Sequence, residues 1–283
     1  MLLMLAALWG ASFLFIRIGV SELKPVVLIE FRVLIAAIAL LIIAAASRQK
    51  IEIFHKWWQY LILGAANAAI PFTLISLAEL NLSASLAAIL NATTPMFTAV
   101  VAWLWTKDAF TIKKFFGVIL GIVGVGILMG FQMGGGTHVL TSALWSLLAA
   151  LFYGIAGVFT GQAFKGENPM NMAIGQQLGA TIVLIPFAAL SFPHHVPSSG
   201  VMFSVLGLAI LCTAIAYLLF FALIHSVGPV KTLTVTFLVP VFGIIWGYVF
   251  LRENVTLSLL FGLVIILSSV ALVANVPFRR QEI

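Results

Sequence analysis

The two halves of the chain resemble each other at a constant offset of 145 residues, and this repeat restricts the possible folds more than any other feature. Pro95 of the first half falls on Pro240 of the second, and each is followed two residues later by phenylalanine. Further pairs at the same offset are Phe97 and Phe242, Lys107 and Arg252, Asp108 and Glu253, Thr111 and Thr256, Phe116 and Phe261, and Gly117 and Gly262. We therefore expect two units of the same design, residues 1–138 and 139–283.

Both units are apolar along almost their whole length. The sequence is 63% hydrophobic and 8% charged, whereas soluble domains carry about 25% charged residues. A surface with so few charges must face lipid. Crossing a bilayer takes about 20 apolar residues, and five stretches of that length occur in each half. They cover residues 2–20, 26–46, 58–80, 84–105, 113–131, 142–163, 170–191, 201–224, 229–251 and 257–276. The sequence therefore predicts an all-α membrane protein with ten transmembrane helices.

The basic residues between these stretches indicate their orientation, because cytoplasmic loops of membrane proteins are enriched in Lys and Arg. With a cytoplasmic N-terminus, ten basic residues lie in cytoplasmic segments, and only Lys24 and Arg252 lie in outer loops. The ten are Arg48, Lys50, Lys56, Lys107, Lys113, Lys114, Lys165, Lys231, Arg279 and Arg280. Both termini are therefore expected in the cytoplasm, with the protein in the inner (plasma) membrane. Because each half has an odd number of spans, the second five-helix repeat is expected to be inverted relative to the first.

Three prolines inside apolar stretches, Pro71, Pro95 and Pro240, predict broken or bent helices. Proline removes a backbone donor and frees a carbonyl group one turn earlier, which a span tolerates where side chains or a wet cavity compensate. Because Pro95 and Pro240 are equivalent in the repeat, we expect gating elements at symmetric positions. Inverted-repeat transporters bind substrate there, near the centre of the membrane. A purely geometric role as kinks is the alternative.

Several motifs resemble one transporter family over essentially the whole chain. They are "ALWGASF" in the first stretch, "FRVLIAA" in the second, and the two Pro-x-Phe segments, the later of which is followed by Glu253 and Thr256. This pattern resembles the EamA-type ten-span members of the drug/metabolite transporter superfamily and, among them, the YddG-type exporters of aromatic and other neutral amino acids. The resemblance implies a secondary transporter that exports small neutral metabolites, in particular amino acids with apolar side chains, by alternating access.

Polar and aromatic side chains within the apolar stretches are the candidates for substrate binding. Uncharged polar groups could meet an amino-acid headgroup without a buried counter-charge, and aromatic rings offer an apolar side chain a packing surface. Trp9 and Tyr153 are equivalent in the repeat, which favours cavity lining, although Trp and Tyr also anchor span ends. Hydroxyl groups can likewise bond within the helix bundle. The predicted substrate-binding residues are Trp9, Ser12, Phe13, Asn67, Thr73, Asn91, Thr94, Tyr153, Gln176, Gln177, Tyr217 and Thr236.

The few charged residues inside the stretches leave the coupling mechanism open. Arg32 could bind a substrate carboxylate or could pair with a neighbouring helix, and the structural role is the simpler one. Arg17 and Glu79 lie near the ends of their stretches, which favours an interfacial position. Since the sequence gives no clear pair of buried carboxylates, transport down a gradient is favoured over proton antiport.

Other classes of function fit less well. The histidines lack the spacing of a metal-binding helix, and no Gly-x-Ser-x-Gly motif or phosphate-binding loop occurs. We therefore predict no enzyme activity, cofactor or metal, and the basic net charge of +6 needs no nucleic acid to explain it. A carrier for another metabolite or drug, such as a purine or a toxic cation, or a channel, is the alternative. The expected state is a monomer in the lipid bilayer with a small-molecule substrate.

Overall fold

The structure, a computed structural model, describes residues 1–130, 136–193, 196–228, 232 and 234–274. In these ranges the regular secondary structure is entirely helical. Eight of the described helices are long and apolar enough to cross a membrane, and two further apolar helices are shorter. They are numbered α1 Leu2–Gly19, α2 Pro25–Ala46, α3 Phe54–Ala78, α4 Ala84–Thr106, α5 Ile112–Gly130, α6 Gly136–Ala163, α7 Pro169–Ala189, α8 Ser199–Ile224, α9 Val235–Leu251 and α10 Leu257–Val273.

Each apolar stretch predicted from the sequence overlaps one of these helices. The two shorter ones, α9 and α10, have 17 residues each. At 1.5 Å per residue each is about 26 Å long, slightly less than the ~30 Å of the hydrocarbon core. Residues 131, 229–231, 233, 275 and 276 of the predicted stretches lie outside the described residues. The all-helical fold with several membrane-spanning helices is confirmed, while the count of ten spans stays a prediction.

The outer surface of the bundle is apolar. Helices α5 and α10 pack against each other, and large side chains on their other faces are exposed, including Ile122 at 60% and Phe261 at 62%. Soluble monomers rarely expose large contiguous apolar patches. These faces fit a hydrocarbon environment, where such side chains lose nothing by being exposed.

The third helix contains a π-helical segment, Ala65–Ala69, directly before Pro71. In a regular α-helix the ring of Pro71 would collide with the carbonyl group of Asn67, four residues earlier. The wider π turn relieves this collision, so the predicted interruption at Pro71 is present. A second π segment, Gly207–Ile215, lies in α8 at the equivalent place in the repeat, although no proline follows it. Single π turns inside α-helices are frequent at functional sites.

The two repeat-related prolines occupy different local structures. Helix α4 is interrupted between its segments Ala84–Asn91 and Thr94–Thr106, and Pro95 lies in the first turn of the second segment. Pro240 instead lies inside the continuous helix α9. Helix α9 therefore has no break at Pro240 itself, and a bend of the helix at this proline stays a prediction.

The residues before each proline explain this difference. The hydroxyl groups of Thr93 and Thr94 donate to the carbonyl oxygens of Leu90 (2.6 Å) and Asn91 (2.8 Å), which satisfies acceptors at the end of the first α4 segment. The equivalent positions in α9 are Leu238 and Val239, whose side chains cannot donate.

Two glycines let helices of different halves approach closely. A Cβ atom on Gly10 of α1 would lie 2.7 Å from the Cβ of Phe242 in α9, and one on Gly154 of α6 would lie 2.8 Å from the backbone nitrogen of Thr98 in α4. Small residues permit such backbone contact between membrane helices. Helix α1 therefore packs on α9, and α6 packs on α4.

We expect Gly154→Ala to destabilise the protein, because its new methyl group would collide with the backbone of α4, and overpacking costs about 1–3 kcal/mol. The matched control is Gly161→Ala on the same helix, where a Cβ atom would meet nothing within 4 Å and alanine raises helix propensity by about 1 kcal/mol. Thermal unfolding in detergent measures both. A melting temperature that falls no more for Gly154→Ala than for Gly161→Ala would contradict the close approach.

Contacts between the two halves close both ends of the bundle. At the end that carries residues 80–83, here called the hairpin end, Glu253 accepts hydrogen bonds from the backbone nitrogens of Ala84 (2.7 Å) and Ser85 (3.0 Å) and from the Ser85 hydroxyl (2.5 Å). At the same end the amide of Asn81 donates to the Ser142 hydroxyl at 3.0 Å. A carboxylate at the N-terminus of α4 also interacts favourably with the helix dipole.

The opposite end, which carries residues 47–53 and is called the loop end, is closed by an ion pair. The ammonium group of Lys56 lies 2.8 Å from the carboxylate of Glu167. Burial alone would raise the pKa of Glu167, but hydrogen bonds from Lys56 and Asn171 and the charges of Lys56 and His55 outweigh it and lower that pKa. Glu167 therefore stays ionised and holds the loop after α2 against the second half.

Candidate functional site

Three of the predicted binding residues form one hydrogen-bonded chain inside the bundle. The side-chain amide of Asn67 in α3 donates to the carbonyl oxygen of Gln176 in α7 at 2.7 Å, and the amide of Gln176 donates to the hydroxyl of Tyr217 in α8 at 2.6 Å. Gln176 is 4% exposed. One buried glutamine thus joins three helices, and it does so next to the π segment that carries Asn67.

Arg32 of α2 belongs to the same region, although the sequence favoured a purely structural role for it. Its side chain is 3% exposed, its Nε donates to the hydroxyl of Thr213 at 3.0 Å, and its guanidinium carbon lies 3.7 Å from the centre of the Phe72 ring. Thr213 precedes Tyr217 by four residues on α8, and Arg32 interacts electrostatically with Tyr217 and Tyr153. The set Arg32, Asn67, Gln176 and Tyr217 is called the central polar cluster.

Among the described residues, no carboxylate lies within ion-pair distance of Arg32. The ion pairs in this part of the chain all involve Glu167, at the loop end. A buried cation without an anion is costly, and a charged side chain inside the membrane is a functional-site hypothesis by default. Four N–H donors of the guanidinium group also have no protein partner in this part of the chain. The central polar cluster therefore contains one basic side chain, and a role for Arg32 in binding stays one of the two roles that the sequence left open.

A row of aromatic rings leads from this cluster to α1. The ring of Tyr217 stacks on Phe221 at 6.0 Å, Phe221 contacts Phe220 at 5.6 Å, and Phe220 contacts Trp9 at 5.4 Å between ring centres. Tyr153 meets Phe72, the ring that Arg32 contacts, edge to face at 6.2 Å. Trp9, Tyr153 and Tyr217 thus lie in the bundle interior rather than as separate anchors at helix ends.

The remaining predicted binding residues are more scattered. Ser12 and Phe13 are buried in α1, and Thr236 and Thr94 lie in α9 and α4, half-buried. The hydroxyl group of Thr94 donates to the backbone oxygen of Asn91 in its own helix, which is the structural role that the sequence offered as the alternative to substrate binding. The oxygen atoms of Thr73 and Asn91 and both amide atoms of Gln177 are buried without a hydrogen-bond partner among the described residues. Gln177 is adjacent to Gln176 but points away from it, because successive helix residues are about 100° apart.

Two charged residues that the sequence placed at the interface, Glu79 and Arg17, differ in their burial. Glu79 lies at the end of α3, as expected, but it is 0% exposed and so does not reach lipid or solvent. The side chain of Arg17 is partly buried and donates to the backbone oxygen of Glu79. Glu79 also interacts electrostatically with Glu253 at the same end of the bundle, although Glu253 is only half-buried. The signal in the sequence was a glutamate inside an apolar stretch, and its burial depends on how α1, α2 and α9 pack around the hairpin.

The arrangement offers hydrogen bonding, one positive charge and aromatic surface, but little for chemistry on a substrate. Among the described residues no group of three or more His, Cys, Asp or Glu side chains is placed to hold a metal ion. The one cysteine, Cys212, is buried and unpaired. Its donors, acceptors and rings are groups that can bind a small polar molecule with an apolar part.

Comparisons with known proteins agree on one family. The model of the EamA-like transporter family matches residues 1–130 and again residues 140–275. The uncharacterized transporter YvbV of Bacillus subtilis is 27% identical over 100% of this chain and 92% of its own length. A Salmonella typhimurium protein named "Probable amino-acid metabolite efflux pump" is 24% identical over 94% of this chain and 91% of its own.

One further relative and one solved structure extend this result. The uncharacterized inner membrane transporter YedA of Escherichia coli is 26% identical over 85% of this chain and 78% of its own length. A crystal structure with a TM-score of 0.71 covers 98% of this chain and 96% of its own at 14% identity, which supports the fold alone.

Proposed function

Because the chain belongs to the EamA-like transporter family, part of the drug/metabolite transporter superfamily, we propose that it exports small neutral metabolites, namely neutral amino acids including aromatic ones, across the inner membrane by alternating access. The observation that carries the proposal is the central polar cluster, where a buried arginine with no carboxylate in ion-pair distance among the described residues lies beside a hydrogen-bonded chain of three uncharged residues. The similarity to a relative named as an amino-acid metabolite efflux pump supports the same cargo.

The cluster provides what a zwitterionic headgroup requires. The substrate carboxylate would bind the guanidinium group of Arg32, which presents N–H donors in the planar arrangement that a carboxylate accepts in pairs. The ammonium group would meet oxygen acceptors of Asn67 and Tyr217. One positive charge in the site then matches one negative charge in the ligand, which favours neutral amino acids over aspartate, glutamate or a nucleotide sugar.

The aromatic row supports a preference for apolar side chains. A ligand that is held by Arg32, Asn67 and Tyr217 would lie at the start of the aromatic row, because the rings of Phe221, Phe220 and Trp9 extend from Tyr217. An aromatic pair contributes about 0.5–1.5 kcal/mol beyond area burial. Phe, Trp, Met or Leu would therefore bind better than Lys, whose ammonium group would add a second positive charge near Arg32.

We further propose ten spans in two inverted five-helix repeats, 1–138 and 139–283. The two π segments occupy equivalent positions, and Gly10 and Gly154 pack on equivalent residues of the other half. Lys107 and Arg252 both end their helices in the left-handed conformation, with φ of 60° and 55°. The two family matches, one in each half, support the same division.

Alternating access would work by opening one end of the bundle at a time. The Glu253 contacts hold the hairpin end and the Lys56–Glu167 pair holds the loop end, so either can open while the other stays closed. The interruptions at Pro71 and Pro95 are the proposed hinges, with Pro240 as the third gating residue. The cytoplasmic position of both termini and the monomeric state are part of this proposal.

The test is counterflow in proteoliposomes that are loaded with one unlabelled amino acid at a time. We expect labelled phenylalanine or leucine to accumulate transiently in vesicles loaded with Phe, Trp, Met or Leu, and not in vesicles loaded with Asp, Lys or a nucleotide sugar. Liposomes without protein are the control. Counterflow with a purine or an organic cation, and none with neutral amino acids, would overturn the cargo while leaving the family unchanged.

A further inference from the structure

Glu79 is a buried carboxyl group that the proposed amino-acid site does not use. It follows α3 directly, at the hairpin end, and its side chain is 0% exposed. Both of its carboxyl oxygens are buried and have no hydrogen-bond partner among the described residues. In a folded protein such an orphaned buried polar group calls for an explanation.

The charged groups that face Glu79 do not neutralise it. They are Glu253, Arg17 and Arg32, and neither arginine lies within ion-pair distance of its carboxylate in the described residues. Arg17 bonds the backbone oxygen of Glu79 rather than its carboxyl group. An ionised Glu79 would therefore be a dry, unpaired charge next to a second carboxylate.

The two neighbouring carboxyl groups have opposite surroundings. Glu253 accepts three hydrogen bonds from Ala84 and Ser85, and such bonds favour the ionised form. Glu79 is buried and accepts no hydrogen bond from the described residues, which favours its protonated, neutral form. Pairs of acids whose environments differ in this way hold one proton between them, and here that proton belongs on Glu79.

We propose that Glu79 is a proton-binding site that couples closure of the hairpin end to proton uptake from the same side. In the closed arrangement the carboxyl group carries a proton. Opening requires Glu253 to release Ala84 and Ser85, only five and six residues after Glu79. Water then reaches the carboxyl group, which releases its proton to that side and takes it up again on closing.

The direction of the effect follows from linkage. A proton that binds the closed form and not the open one stabilises the closed form as the pH falls. Acid on the hairpin side should therefore slow opening, and a higher pH on that side should speed it, while pH at the loop end should matter little. The coupling to opening rests on the alternating access proposed above, whereas the protonation of Glu79 does not.

The first test measures counterflow while the pH is changed on one side of the membrane at a time. We expect the wild-type rate to fall as the hairpin side is acidified. Glu79→Gln, which mimics the protonated acid, should be slow and insensitive to pH. The control is Glu22→Gln, because Glu22 lies at the same end but bonds Ser198 at an exposed position, and it should keep the wild-type profile. A Glu79→Gln variant that retains the wild-type pH dependence, or a wild type without any, overturns the coupling.

The second test does not depend on the substrate. Infrared difference spectra of the purified protein at neutral pH should show the C=O stretch of a protonated carboxyl group, and Glu79→Gln should remove that band while Glu22→Gln leaves it. A spectrum in which Glu79→Gln removes only carboxylate bands shows an ionised Glu79 and refutes the proton site. If no amino acid is transported, this result still decides whether Glu79 holds a proton.

Discussion

Replacing Arg32 by glutamine is expected to lower amino-acid transport about 100-fold, while it makes the substrate-free protein more stable. Removing one partner of a buried charge pair costs about 2–5 kcal/mol of binding, and each 1.4 kcal/mol is a factor of about ten. Without substrate Arg32 is a buried cation with no carboxylate within ion-pair distance among the described residues, although Glu79 lies within electrostatic range, so its removal relieves a desolvation cost. Effects of opposite sign on binding and stability distinguish a ligand-binding residue from a structural one.

Two measurements check this expectation. Counterflow kinetics should show the loss as a raised KM, and thermal unfolding should show a higher melting temperature for Arg32→Gln in the absence of substrate. Arg32→Lys is the matched control, because it retains the charge but not the planar pair of donors. Its KM should lie between those of the wild type and Arg32→Gln. Unchanged transport by Arg32→Gln, or a loss of stability with normal KM, would mean that Arg32 only supports the packing of α2 on α8.

Replacing Gln176 by leucine should abolish most transport, whereas the same change at Gln177 should leave it intact. Gln176→Leu breaks both hydrogen bonds of the central polar cluster and leaves Asn67 and Tyr217 without their shared partner. Gln177 is 0% exposed and both its amide atoms lack partners among the described residues, so leucine there removes an unsatisfied buried group, which costs about 1–3 kcal/mol.

The two variants control for each other, since they make the same substitution at adjacent buried positions of α7. Initial rates in proteoliposomes and unfolding in detergent should be measured together. We expect a loss of at least about tenfold for Gln176→Leu, equal to one lost hydrogen bond of ~1.4 kcal/mol, and a stabilised, active Gln177→Leu. If Gln177→Leu were inactive and Gln176→Leu active, the substrate would have to bind at the face of α7 that carries Gln177.

Much of the fold could be predicted because each span is a local feature. About 20 apolar residues identify a membrane helix whatever its neighbours are, so the helices were found within a few residues. The sequence also contains the residues that explain why Pro95 starts a helix segment whereas Pro240 lies inside a helix. The threonines before Pro95 can satisfy freed carbonyl groups, whereas Leu238 and Val239 before Pro240 cannot.

The assembly of the site could not be predicted, because it depends on distances between helices. Asn67, Gln176 and Tyr217 were each suggested by polarity, yet no sequence pattern joins residues from α3, α7 and α8. Arg32 and Glu79 were assigned simpler roles because a charge near a span end usually reaches the interface. Their burial follows from the packing of α1, α2, α8 and α9, which one sequence does not show.

The central claim, that a free carboxylate on a neutral amino acid binds the central polar cluster, is tested most directly by equilibrium binding of labelled phenylalanine to the purified protein with unlabelled competitors. We predict displacement by Phe, Trp, Met and Leu, and at least about tenfold weaker displacement by phenylalaninamide, which keeps the ring and amine but cannot pair with Arg32. Displacement by phenylalaninamide as strong as that by phenylalanine, or by a purine or nucleotide sugar in its place, would contradict the account.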